Sequence, residues 1–226
     1  DVLLRQVPTQ SVRIYGGNPH DLNRDGWADL PLACEDACDV RVLLGRPDGT
    51  GRPQPLLLPT NPVGCTPSPN EPSDFNGDGF TDIVTCNVGG NVSVLLGNGN
   101  GSFQPVTTYA VGTAPAGLAV LDCDGDGDMD IATANNGGGN ISVLYGRNND
   151  TFSPAVNSAS PGAYAVVASD FNGDGWLDAA TTNPNTNNVS VLLNDQAWPS
   201  APASLAINDV TVTEGNAGTL AAEFTV

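Results

Sequence analysis

Four short segments of this 226-residue chain carry residues able to do chemistry: DLNRDGWAD from Asp21, DFNGDGFTD from Asp74, DCDGDGDMD from Asp122 and DFNGDGWLD from Asp170. Positions 1, 3 and 5 offer a side-chain oxygen in every copy. They are Asp21, Asn23 and Asp25; Asp74, Asn76 and Asp78; Asp122, Asp124 and Asp126; and Asp170, Asn172 and Asp174. Position 6 is Gly26, Gly79, Gly127 and Gly175, the residue type that makes a sharp turn cheaply. Position 9 is Asp29, Asp82, Asp130 and Asp178, a natural final carboxylate. Oxygens at alternate positions around a glycine turn suit a hard cation, and calcium takes about six to eight of them at ~2.3–2.6 Å. Position 7 varies among Trp27, Phe80, Asp128 and Trp176, as expected where the backbone carbonyl is the ligand. An EF-hand loop needs a Glu at position 12, but Leu32, Thr85, Thr133 and Thr181 stand there, so that reading fails. The expected cofactor is Ca2+, about four ions, one per loop.

Charge points the same way. The chain has 25 acidic residues against 7 basic ones, a formal net charge of −18. That balance excludes a nucleic-acid surface, which must be basic, and direct docking on an anionic membrane face. Fourteen of the 25 carboxylates sit in the four loops. Four calcium ions would bring the formal charge from −18 to −10 and relieve carboxylates that otherwise repel one another. No apolar run approaches the ~20 residues of a membrane helix, so no membrane insertion is expected. The chain opens on Asp1 and lacks a basic, apolar-cored leader, and it reads as a soluble, mature or excised piece. A single histidine, His20, removes most routes to a Ser-His or Cys-His nucleophile.

The elements that must hold these loops follow from their spacing. The first residues lie 53, 48 and 48 apart, so the chain is a tandem repeat of about 48 residues. Each loop runs into an apolar stretch, such as Asp82-Ile83-Val84-Thr85, then an Asn/Gly turn, then an alternating strand: Val40–Leu44, Val92–Leu96, Ile141–Tyr145 or Val189–Leu193. These runs are short, β-branched and bounded by turn residues, which predicts strands. Glycine and proline together make up 45 residues and lysine is absent, which disfavours helices. Two further extended segments per unit give four strands. The expected fold is all-β: four tandem four-stranded antiparallel blades that stack because one sheet cannot bury both faces.

Over residues 10–195 the chain resembles the FG-GAP or VCBS repeats of the integrin α-subunit propeller and of many secreted bacterial proteins. The resemblance rests on the four Asp loops, the recurring Leu-Leu-Gly turn and the Val111–Pro115 segment Val-Gly-Thr-Ala-Pro. It implies a calcium-binding β-propeller, with closed ring or open arc undetermined because family propellers usually carry seven blades. Three units are predicted: repeats over 1–197, a linker over 198–204, and a segment at 205–226 that resembles the opening strands of a Calx-β domain.

Five cysteines allow two bridges, for which Cys34 with Cys38 and Cys65 with Cys86 are the candidates; a zinc site is the rival. Cys123, at loop position 2, reads as a small buried apolar residue. Calcium use and bridges suggest an extracellular or cell-surface setting. Sequons begin at Asn91, Asn100, Asn140, Asn149 and Asn188; three repeat in phase and read as turn residues entering a strand. Trp27 and Trp176 read as packing against a neighbouring blade, with sugar stacking as the alternative. The expected role is a non-enzymatic structural, adhesive or assembly module. Its partners would be other domains of a larger secreted protein, or further copies joined by strand addition through the ends, including Val2–Arg5. A lectin-like propeller that binds glycans is the alternative, and an accessory domain of a secreted hydrolase a third reading.

Overall fold

The computed structural model describes residues 13–45, 56–57, 60–147 and 150–194. The leading Val2–Arg5 segment, the linker, the Calx-β-like segment and the Asn149 sequon lie outside these residues. Among the described residues every regular element is a strand and every pairing is antiparallel.

Sheet 1 orders β1 (Ile14–Gly16), β2 (Leu30–Cys34), β3 (Asp39–Leu44) and β4 (Leu56–Leu57), with β5 (Asn61–Pro62) also on β3. Sheet 2 runs β6 (Pro67–Ser73), β7 (Asp82–Asn87), β8 (Asn91–Leu95) and β9 (Thr107–Ala110). Sheet 3 runs β10 (Pro115–Leu121), β11 (Asp130–Asn135), β12 (Asn140–Leu144), then past the small hairpin of β13 (Gly146–Arg147) and β14 (Thr151–Phe152) to β15 (Val156–Ala159). Sheet 4 has three strands, β16 (Ala165–Ser169), β17 (Asp178–Asn183) and β18 (Asn188–Leu192). Each Asp loop is the connection between the first two strands of its sheet, where the repeat arithmetic places it.

The alternation of β-branched residues with small polar ones decides how the sheets stack. Both faces of the central strands are buried, so neighbouring sheets share a core. Leu22, Val40 and Val42 of sheet 1 meet Ile83 and Leu95 of sheet 2. Phe75, Val84 and Val92 meet Leu118, Ile131 and Leu144 of sheet 3. Cys123, Ala134 and Ile141 meet Val166 and Leu192 of sheet 4. Phe152 adds edge-to-face contacts with Phe75 and Tyr109. The first strands approach closely: a side chain on Gly117 of β10 would stand 2.7 Å from Ala165 Cα and from the Tyr164 carbonyl.

A polar knot repeats at the far end of the central hairpin in sheets 2 to 4. Asn87 donates to Asn91 Oδ1 and Ser93 Oγ at 2.6 and 2.9 Å. Asn135 does the same to Asn140 and Ser142 at 2.8 and 2.8 Å, and Asn183 to Asn188 and Ser190 at 2.9 and 2.7 Å. The in-phase sequon asparagines therefore close strand turns with their own carbonyl oxygens, as their spacing suggests. Asn100 likewise accepts from the Ser102 N–H and hydroxyl.

The cysteines correct the expected pairing. The disulfide joins Cys38 to Cys65, tying the β2–β3 turn of sheet 1 to the segment that leads into sheet 2, while Cys34, Cys86 and Cys123 are free and buried. Cys34 ends β2 opposite Asp39, its thiol directed at the Leu32 carbonyl, while Cys38 lies beyond it in the turn at φ 52°. Cys86 is central in β7 opposite Val92, and strand alternation carries its thiol to the Gly117 carbonyl of sheet 3, away from Cys65. Cys123 is buried as expected and donates to Asp130 Oδ2 at 2.7 Å.

Candidate metal centres

The four loops share one hydrogen-bond scheme. The first aspartate accepts from the glycine N–H at position 6: Gly26 to Asp21 at 2.8 Å, Gly79 to Asp74 at 2.8 Å, Gly127 to Asp122 at 3.1 Å and Gly175 to Asp170 at 2.9 Å. Those glycines all have positive φ, between 79° and 93°, in the left-handed region that a side chain resists. The position 3 oxygen accepts from the position 5 N–H in every copy: Asn23 from Asp25, Asn76 from Asp78, Asp124 from Asp126 and Asn172 from Asp174. Position 5 in turn accepts from the N–H of Trp27, Phe80, Asp128 and Trp176. These interlocking Asx turns draw the oxygens of positions 1, 3 and 5 around one tight loop.

Position 9 is anchored differently. Asp29, Asp82, Asp130 and Asp178 are all buried. One oxygen accepts from the position 2 N–H of Leu22, Phe75, Cys123 and Phe171 at 2.8–2.9 Å. The other accepts at 2.7 Å from Gly45, Gly97, Gly146 and Asn194 respectively, the residues just past the third strand. Each ninth aspartate thus pins its loop to the end of the third strand. Sequence reading assigned it only a metal role; the signal for the second partner was the glycine of the Leu-Leu-Gly turn, recurring 15 or 16 residues downstream. Asn194 replaces that glycine in the last unit and adds a 2.6 Å bond to the Cys123 carbonyl across the sheet 3–sheet 4 interface.

Electrostatics in the loops is unfavourable without a counter-ion. Burial lifts the Asp82 and Asp130 carboxyls to about 6 against the pull of their N–H donors, and neighbouring loop carboxylates push the same way. Burial also raises Asp29 and Asp124. Exposed Asp170 goes the other way, lowered chiefly by the Gly175 N–H.

Two observations bear on whether a hard cation fits. Oxygens of Asp122, Asp124 and Asp130 lie within 4.8 Å of one another, close enough for one ion. In the second loop Asp74 Oδ1 is buried with no hydrogen-bond partner, an acceptor whose desolvation nothing on the protein offsets. The donor set is all oxygen, with carboxylates in the majority, the chemistry of a calcium site rather than a zinc one.

Two of the position 7 side chains, Phe80 and Trp176, work between loops. The Arg24 guanidinium, at position 4 of the first loop, lies 4.3 Å from the Phe80 ring centroid of the second and donates to the Gly79 carbonyl. Trp176 of the fourth loop packs over Gly125, position 4 of the third. Among the described residues Trp27 has no such neighbour, and it is 45% exposed.

A family model for the FG-GAP-like repeat matches residues 74–133 and again 122–181, each match spanning two successive Asp loops. Residues 74–181 belong to the FG-GAP-like repeat family. The first unit, with the same loop at 21–29, extends the repeat toward the N-terminus. No curated protein matches the chain. Among solved structures, the FG-GAP-like array is similar to a candidate 6-phosphogluconolactonase from Bacteroides fragilis, at 16% identity over 88% of this chain and 56% of that one, with a TM-score of 0.62. It is also similar to the periplasmic gluconolactonase of Pseudomonas aeruginosa (18% identity, 88% and 53% covered, TM-score 0.58). The fission yeast SREBP–SCAP binding domains match at 13% identity, 91% and 62% covered, with a TM-score of 0.53. At these identities the likeness shows the fold alone, a β-propeller-like one, and the chain spans little more than half the length of those proteins.

Proposed function

We propose that this chain is a calcium-dependent structural module of an extracellular protein, four propeller-type blades long, in which one ion per Asp loop fixes the first hairpin of each blade. The observation that carries this reading is the fourfold recurrence of one loop whose oxygens at positions 1, 3 and 5 are gathered by the same hydrogen bonds. Asp21, Asn23, Asp25 and Asp29, and their counterparts in the other loops, would hold the ion, with the carbonyl of position 7. Bound calcium supplies positive charge and little else. The protein's own part is to hold the loop closed through the position 6 glycine and to clamp position 9 to the third strand. The Cys38–Cys65 disulfide supports an oxidising setting outside the cell.

The reading is non-catalytic. The clustered carboxylates are assigned to the ions, and a single histidine, His20, leaves few routes to an imidazole-activated nucleophile. A ligand that binds only the native state raises its melting temperature by mass action. Metal-stripped protein is therefore expected to melt well below the calcium-loaded form and to recover on adding calcium. Equal melting temperatures in calcium and in chelator would refute the structural role.

A further inference from the structure

The second and fourth loops open on the same six residues, Asp-Phe-Asn-Gly-Asp-Gly, at 74–79 and 170–175. In both, the asparagine at position 3 precedes a glycine of positive φ, 70° at Gly77 and 80° at Gly173, with open space where a side chain would stand. Asn76 and Asn172 are both half-buried. Each ties its amide into the loop in the same way, donating to the position 5 carboxylate and accepting from the position 5 N–H. One bond separates the two loops. Asp170 Oδ1 accepts from the Gly173 N–H at 2.6 Å, as Asp122 Oδ1 does from Gly125 at 2.8 Å in the third loop. The corresponding oxygen of the second loop, Asp74 Oδ1, has no hydrogen-bond partner, so the Gly77 N–H lacks that anchor.

We propose that Asn76 is a self-modification site: the folded chain deamidates there, while the identical sequence around Asn172 is protected. The Gly77 backbone nitrogen attacks Asn76 Cγ. As the new N–Cγ bond forms, the Cγ–Nδ2 bond breaks, and the side-chain nitrogen leaves as ammonia with the proton of the Gly77 N–H. Water then opens the five-membered imide at either carbonyl, leaving an aspartyl or an iso-aspartyl residue at position 76. Glycine allows the close approach because it carries no side chain. An N–H that donates to a carboxylate must give up that bond before its nitrogen can close the ring, and this holds Gly173 back. The aspartyl product is one the fold already accepts: Asp124 stands at position 3 of the third loop and takes the Asp126 N–H as Asn76 takes that of Asp78. It raises the second loop from three carboxylates to four, whereas the iso-aspartyl product lengthens the main chain and breaks the turn. The other Asn-Gly pairs among the described residues are held differently. Gly99 lies against the Phe80 ring, the Gly101 N–H donates to the Leu22 carbonyl, and the Asn136 amide reaches the Gly162 and Ala163 carbonyls.

The full 226-residue chain contains its own control, because two identical hexapeptides react alike once structure is removed. The protein is incubated at mildly alkaline pH in calcium, in chelator, and in urea, with circular dichroism reporting which samples are folded. Proteolytic peptides are then read by mass spectrometry for deamidation at 76 and 172. Equal rates are expected in urea, and a several-fold faster conversion of Asn76 than of Asn172 in the folded chain. If chelator unfolds the protein, the calcium sample carries the comparison. Asp170→Ala, which frees the Gly173 N–H, should bring the two rates together. Comparable rates in the folded chain, faster conversion at Asn172, or no conversion at either position overturns the proposal. The order of the two asparagines needs no ion. Slowing of both by calcium rests on the calcium reading, and its absence with the order intact would count against that reading alone.

Discussion

Within each loop the aspartates divide into two jobs. The position 5 carboxylates are exposed and those at position 1 mostly half-buried, while the ninth is sealed inside and satisfies two backbone N–H groups that water cannot reach. Removing a buried acceptor leaves its donors unsatisfied, at about 1–3 kcal/mol each. Asp82→Ala is therefore expected to lower unfolding free energy by about 2–4 kcal/mol in chelator, and by more in calcium, where a ligand of the ion is lost as well. Asp78→Asn keeps an acceptor for the Phe80 N–H; it should be near-neutral in chelator and lose part of the calcium-induced stabilisation. Urea unfolding of both variants under both conditions separates the roles. A second residue-scale test concerns Glu71 on β6. Burial raises its carboxyl above the ordinary 4.5, against a 2.6 Å hydrogen bond from Asn18. Because the folded value is the higher one, its contribution is full below the unfolded value and is lost as pH rises through the folded value. Glu71→Gln, which keeps the acceptor, should match the parent in acid and be the more stable of the two at neutral pH, as urea midpoints across that range would show.

The hairpin between the first and second strands is the element that everything else serves. Its loop carries the oxygens, its two faces carry apolar residues that stack one sheet on the next, and in sheets 2 to 4 its second strand ends on the asparagine that ties the following turn. Most of this was legible in the chain itself: a 48-residue period places the loops, and alternation in segments such as Val92–Leu95 marks the third strands. What eluded sequence reading was set by contacts between elements. Cysteine spacing suggested Cys34 with Cys38, but the side of the strand on which each thiol emerges depends on the β2–β3 register, which puts Asp39 opposite Cys34. The Arg24–Phe80 contact spans 56 residues and exists only because neighbouring loops lie side by side. The bridge that did form closes a separation of 27 residues and links two sheets. In the loop-entropy account, removing it with Cys38→Ser and Cys65→Ser should cost about 2–4 kcal/mol, read as a lower urea midpoint. Reducing agent should match that loss in the parent and add nothing to it in the double variant.

On the scale of the whole molecule, excess negative charge and repetition are one fact seen twice. A blade of this size cannot bury both faces of its sheet alone, so stability passes from neighbour to neighbour through shared cores. The same repetition places a knot of like charges beside every hairpin, and the formal −18 is the sum of that arrangement. Folding of the array is thus expected to be coupled to metal, each ion stabilising its own blade and, through the shared core, the next one. The likeness to gluconolactonase structures bears on the fold alone; the proposed function rests on the acidic loops. The most direct test is calorimetric titration of metal-stripped protein with calcium. Close to four sites, with stability rising as they fill, is the predicted result. Absence of calcium binding to folded protein would contradict it and reduce the aspartate loops to turns held by their own hydrogen bonds.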